Sequence, residues 1–280
     1  MSNQPSKTPS RGDKVGIAKQ TLAACEAGEY RTARGETVSL RAAIAAATSG
    51  TRTYEPDDLL AWPGAGVASA LSVTCETTIE ALIRLAGQSA RPLACLNFAS
   101  AKNPGGGFLG GAQAQEESLA RASALYPCLL TQPHHYARNR ANHSALYLDL
   151  AIWSPQVPVF RDDVGGWLDP LVLASFVTCA APNAGALHQH GRYDARAVEA
   201  ALHRRAELVL AIAAHHGVER LVLGAWGAGV FRNDPRMVAD AFGELLEGRF
   251  ANVFAEVVFA VTSGPGNANY DAFAARFAAS

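Results

Sequence analysis

The strongest constraint on the fold is an alternation along the chain. Short apolar runs are separated by longer stretches with helical spacing of their apolar residues. Residues 93–98 (Leu-Ala-Cys-Leu-Asn-Phe) form such a run, nearly apolar on both parities, which marks a strand buried on both faces. Residues 71–74, 146–152, 157–160, 171–179, 220–223 and 257–261 are read as further strands. Helices are expected over residues 77–86, 115–125, 195–215 and from Asp234 to Gly248. Asp194 and Asp234 suit N-caps, Pro235 the first helical position, and Gly217 and Gly248 the stops. Strand and helix in alternation imply an α/β fold, a mostly parallel sheet with helices on both faces. The 280 residues, 49% of them hydrophobic, suffice for one full core and a little more.

Residues 1–14 are polar, with Pro5 and Pro9, and are read as a disordered tail. Val15, Ala18, Leu22 and Cys25 fall at helical spacing, with Gly28 as the stop, and a second helix is expected over residues 39–47. Residues 15–60 are therefore read as a helical accessory segment, and residues 61–280 as the main domain. Pro56, Pro63 and residues 64–66 mark the passage between them.

Net charge is −1, so bulk attraction to DNA is not expected; a polyanion must be held by backbone amides, helix N-termini and a few cations. Cys25, Cys75, Cys95, Cys128 and Cys179 are scattered and odd in number, which speaks against disulfides and against a cysteine zinc site. His188 and His190 would share one side of a strand but lack a third ligand, so they read as solvated loop histidines. Residues 134–143 read as a surface loop or an irregular helix, with His134, His135, Arg138 and Arg140 as surface groups, and Trp153, Trp167 and Trp226 as packing. No apolar run is long enough to cross a membrane. A monomer in the cytoplasm is the expectation.

Two loops follow strands and lead to helices, the positions where α/β sheets bind ligands. One carries Gly105, Gly106 and Gly107; the other carries Gly227, Ala228, Gly229, Val230 and Phe231. Glycine lets a phosphate approach the backbone, and helix N-termini attract anions. Two such cradles suit a diphosphate. Gly105, Gly107 and Gly110 also match the dinucleotide fingerprint, but no acidic residue lies between Glu117 and Asp149 to hold a ribose, which weighs against a nicotinamide oxidoreductase. Instead Gln115, Glu116 and Glu117 open the helix after the first loop. A carboxyl group that protonates a leaving oxygen and then activates water is the requirement of glycosidic cleavage. Both glutamates can meet one ligand only if the helix begins there.

Gly105, Gly106 and Gly107, followed after seven residues by Gln115, Glu116 and Glu117, resemble the motif of bacterial-type poly(ADP-ribose) glycohydrolases. Gly227 to Phe231, followed by Arg232, Asn233, Asp234 and Pro235, is similar to their second loop. The resemblance implies a macrodomain, a three-layer α/β/α sandwich with a mixed sheet, acting without cofactor or metal on poly(ADP-ribose) and ADP-ribosylated proteins. It implies that Glu117 is the catalytic acid/base and that Glu116 hydrogen-bonds the distal ribose. Gly105 to Gly107 would leave room for ribose and diphosphate. Gln115 would belong to the substrate site, and Asn103 would make the ribose contact that binding macrodomains make from the position of Ser100. The amides of Gly227 to Val230 would hold the diphosphate, and Phe231 would pack on the adenosine. Trimming from chain ends is expected. An ADP-ribose-binding macrodomain and a mono-ADP-ribosyl hydrolase are the alternatives; the paired glutamates speak against the first.

Overall fold

The computed structural model describes residues 9–58, 60–62, 66 and 68–277. Most of the expected tail, Pro63 and Gly64 lie outside them. The part of the tail that is described is not disordered: α1 (Arg11–Ala27) starts at its eleventh residue. Ser10 and Asp13 close a reciprocal capping box there, satisfying donors that a helix start leaves open. A hairpin follows, β1 (Glu29–Arg31) against β2 (Thr37–Ser39), then α2 (Arg41–Gly50) and β3 (Arg52–Tyr54).

The remaining elements alternate largely as expected. They are β4 (Ala70–Thr74), α3 (Thr78–Gln88), β5 (Leu93–Phe98), α4 (Gln115–Ala122), α5 (Leu125–Leu130), α6 (Pro133–Ala141), β6 (Ala151–Arg161) and β7 (Trp167–Cys179). After them come α7 (Ala184–Gln189), α8 (Ala195–His215), β8 (Arg220–Leu223), α9 (Pro235–Glu247), β9 (Glu256–Ala260) and α10 (Ala268–Phe277). The seven-stranded sheet runs β3-β6-β7-β5-β8-β9-β4. Its five strands from β7 to β4 are parallel, and the β3–β6 and β6–β7 pairs are antiparallel.

Alternate residues of each central strand serve different layers. Ala94, Leu96, Leu221, Leu223, Val257 and Phe259 face the layer of α8, α9 and α10, where Val209, Phe242 and Phe273 are fully buried. Leu93, Cys95, Val222 and Val258 face the opposite layer, built from α2, α3, α4 and α5. The sheet is thus covered on both sides, as the apolar runs require.

The structure corrects several expectations. Residues 15–60 are not an add-on, because β3 is the edge strand of the main sheet and Tyr54 is fully buried in its core. Residues 146–150 are not strand, and the rest of the expected strands at 146–152 and 157–160 is one strand, β6, interrupted by a register shift between Ser154 and Val157. Pro155 lacks the N–H a ladder needs, which explains the bulge and the apparent gap. Of the two readings of residues 134–143 the structure has the helix, but His135 is buried rather than surface. Burial holds its ring well below the usual histidine pKa, at about 4. His188 lies on α7, not on a strand, and stacks on Tyr193. The helix expected over 115–125 stops at Ala122, where Ser123 turns extended and bridges to Val159.

Candidate active site

A cleft of about 510 Å³ opens beyond the carboxyl ends of β5, β8 and β9. Its wall contains Gln115, Glu116 and Glu117 from the start of α4, and Gly227, Gly229, Val230 and Phe231 from the loop after β8. The two sequence-distant loops therefore meet at one cleft. Helix α4 begins at Gln115, the condition that lets successive glutamates serve one ligand.

The two carboxylates differ in environment. Glu116 is 2% exposed. Its Oε2 accepts the Ser100 N–H at 2.6 Å, and its Oε1 accepts Asn97 Nδ2 at 3.3 Å. Burial pushes its pKa up to about 8; these hydrogen bonds oppose the shift, and the neighbouring Glu117 reinforces it. Burial therefore favours the acid form of Glu116, the form able to donate a hydrogen bond. Glu117 is half-buried, and its Oε1 accepts the Gly107 N–H at 2.9 Å.

The middle glycine of the three is required here for close approach to the protein's own carboxylates. Gly106 has φ +59°, and a Cβ on it would lie 2.3 Å from Glu117 Oε1 and 3.2 Å from Glu116 Oε2. The Gly107 amide points at Glu117, so among these glycines it is not a free donor for phosphate. Gly105, Gly106 and Gly107 sit behind the carboxylates and are not among the residues lining the cleft; neither is Asn103. The Asn103 carbonyl accepts the Gly106 N–H and so shapes the turn. Gln115 lines the cleft, but its amide is committed to β5. It accepts the Phe98 N–H at 2.8 Å and donates to the Leu96 carbonyl at 2.8 Å and Thr78 Oγ1 at 3.1 Å.

In the second loop, the Ala228 N–H donates to the Ala225 carbonyl, so this residue is not an open donor. Among the described residues, the N–H groups of Gly229, Val230 and Phe231 have no backbone acceptor, leaving three successive donors beside the cleft. Asn233 fastens the loop from below, donating to the Pro182 carbonyl at 2.8 Å and the Gly227 carbonyl at 3.1 Å. Phe231 packs 5.9 Å from the Tyr147 ring, and Val230 is 77% exposed.

Sequence reasoning missed the far wall: Thr77 and Thr78 at the start of α3, Asp163 from the β6–β7 turn, and Thr262 and Asn269 after β9. Thr77 had a readable signal, since Thr77 and Glu80 form a capping box. Asp163 had none; the hairpin brings it to Thr77, whose hydroxyl it accepts at 2.6 Å. Among the described residues no group of three or more His, Cys, Asp or Glu side chains is placed to hold a metal ion. Nor is any described helix long and apolar enough to cross a membrane.

The sheet order and the strand-end cleft define a macrodomain-like α/β/α sandwich, here carrying a carboxylate pair suited to glycosidic chemistry. The chain belongs to the microbial-type PARG family: the model of its catalytic domain matches residues 18–162. The structure is similar to that of poly(ADP-ribose) glycohydrolase from Thermomonospora curvata, with 45% identity and a TM-score of 0.90 over 95% of this chain and 100% of that one. The same Thermomonospora curvata enzyme bound to the inhibitor ADP-HPD matches at 44% identity and a TM-score of 0.88, with the same coverage. Poly(ADP-ribose) glycohydrolase from Deinococcus radiodurans in complex with ADP-ribose matches at 45% identity and a TM-score of 0.77, over 84% of this chain and 96% of that one. Comparison with curated protein sequences gives no match.

Proposed function

We propose that this chain hydrolyses the ribose–ribose O-glycosidic bonds of poly(ADP-ribose), mainly from chain ends, and releases ADP-ribose. The observation that carries the reading is the pairing, at one cleft, of Glu117 with three successive open amides at Gly229, Val230 and Phe231. The amides suit the diphosphate, and the Phe231 ring suits the adenosine side. Glu116, held protonated by burial, donates a hydrogen bond to a hydroxyl of the distal ribose. Glu117 protonates the 2′-oxygen of the leaving unit as the glycosidic C–O bond breaks through an oxocarbenium-like state. The resulting carboxylate takes a proton from water, which adds to the anomeric carbon, and the acid form returns. Gly107 holds Glu117 through its N–H, Gly106 leaves room for that carboxylate, and Gln115 positions α4 against β5.

The terminal protein-linked unit lacks the ribose–ribose bond and is left in place. The protein acts as a cytoplasmic monomer on free or protein-attached polymer and has no direct use for DNA. Incubation with poly(ADP-ribose) of defined length, read by mass, tests this: free ADP-ribose accumulating beside a singly shortened ladder is the expected result. Intact polymer with tight ADP-ribose binding would instead identify a binding module, and release from a singly modified protein a mono-ADP-ribosyl hydrolase.

A further inference from the structure

Arg121 lies one turn after Glu117 on α4, the spacing of an ordinary surface ion pair. It behaves otherwise. It is 6% exposed, and its guanidinium reaches back to the loop that precedes the helix. Nη1 donates to the Ala112 carbonyl at 2.7 Å and Nη2 to Gln113 Oε1 at 2.6 Å. The Ala112 N–H donates to the Gly107 carbonyl at 3.2 Å. The Gly107 N–H in turn holds Glu117 Oε1. The backbone of two residues, Ala112 and Gly107, therefore connects the buried cation to the acid/base carboxylate.

Helix α1 closes the same assembly from outside. Thr21 Oγ1 donates to the Arg121 carbonyl at 2.6 Å, and Arg11 Nε donates to the Gly110 carbonyl at 3.0 Å. Gly111 has φ +74° and passes so close to α1 that a Cβ would lie 2.6 Å from the Arg11 carbonyl oxygen. Ala18 of α1 packs with Phe108 and Ala120, pinning the short 3-10 turn after the glycines to α4.

We infer that Arg121 is a positioning residue for Glu117, acting through Ala112 and Gly107, and that α1 is the brace holding this relay in register. The inference rests on the glycosidase reading for its effect on rate, but the relay itself is a statement about the loop. A planar fork meets two acceptors at once, whereas a lysine ammonium in its place reaches one, so charge alone does not replace it.

The test compares the wild-type full chain with Arg121→Lys and Arg11→Ala. It measures kcat and KM on poly(ADP-ribose) and hydrogen exchange of the amides over residues 105–113. In Arg121→Lys we expect kcat to fall roughly tenfold or more, as for a misplaced catalytic group, with KM nearly unchanged and exchange over 105–113 faster. Arg11→Ala, on an exposed residue, shifts both readouts in the same direction by less. Wild-type exchange and kcat in folded Arg121→Lys would overturn the inference, as would a raised KM at unchanged kcat. If Arg121→Lys does not fold, the same two criteria applied to Arg11→Ala decide. A wild-type chain inactive on polymer refutes the glycosidase reading instead, and the exchange data then decide the brace alone.

Discussion

Glu116 and Glu117 are neighbours in the chain, yet only one of them is shut away from water, and that difference divides their roles. Substituting Glu117→Gln keeps the shape and the Gly107 hydrogen bond but removes the transferable proton. Polymer hydrolysis is expected to fall by about 10²–10⁴-fold, with ADP-ribose affinity by titration calorimetry retained. Glu116 makes a second prediction, about stability. Its pKa is raised from 4.5 to about 8 in the folded state, so the native protein binds more protons than the unfolded chain between those values. Stability from this group is complete below pH 4.5 and is lost as pH rises towards 8; the full shift corresponds to something on the order of 5 kcal/mol. Glu116→Gln removes the titration, so its loss of urea stability between pH 5 and 9 should be smaller than that of the wild type. Equal slopes would refute a protonated Glu116. At Gly106 an added Cβ would collide with the Glu117 carboxyl group, so Gly106→Ala should cost roughly two orders of magnitude in kcat. Gly229→Ala, where the Cβ meets nothing within 4 Å, should leave thermal stability unchanged and weaken ADP-ribose binding instead.

Helix starts place one wall of the cleft, at Thr77 and Thr78 of α3 and Gln115 to Glu117 of α4, and a further helix start follows the second loop. The Asp234 side chain accepts the Arg236 N–H at 2.9 Å, and Pro235 fills the first helical position. Asp234→Ala should lower unfolding free energy by about 1 kcal/mol in urea, the usual cost of a lost N-cap. Caps of this kind were legible because Asp-Pro and Thr-x-x-Glu act within one turn of themselves. Helix α8 was readable over its whole length, from Asp194 to the glycine at 217, for the same reason. The break of α4 after Ala122 was not legible, because it depends on Ser123 meeting Val159 of β6, far along the chain. The stretch 133–141 left loop and helix both open, because its composition is polar. Three of its polar side chains, His135, Tyr136 and Asn139, turn inward instead.

At the scale of the whole molecule, residues 9–58 are part of the domain. They supply the edge strand β3 and the buried Tyr54, whose hydroxyl meets His216 Nε2 at 2.7 Å. Tyr30 stacks on Trp167 with ring centroids 5.0 Å apart, and α1 braces the glycine loop. A chain starting at residue 61 should therefore lose its cooperative thermal transition, and Tyr54→Ala in the full chain should cost about 3 kcal/mol or more. A truncated chain that melts cooperatively at the wild-type temperature would refute this. The buried central strand β5, the helices α8 and α9 with their caps, and the presence of a glycine loop ahead of a carboxylate pair were settled by the amino-acid order alone, because periodicity and capping act within a few residues. Which carboxylate is buried, which amide faces Glu117 and which strand closes the sheet edge were decided only by the tertiary structure. Desolvation, backbone approach and edge pairing depend on groups that the sheet gathers from distant parts of the chain.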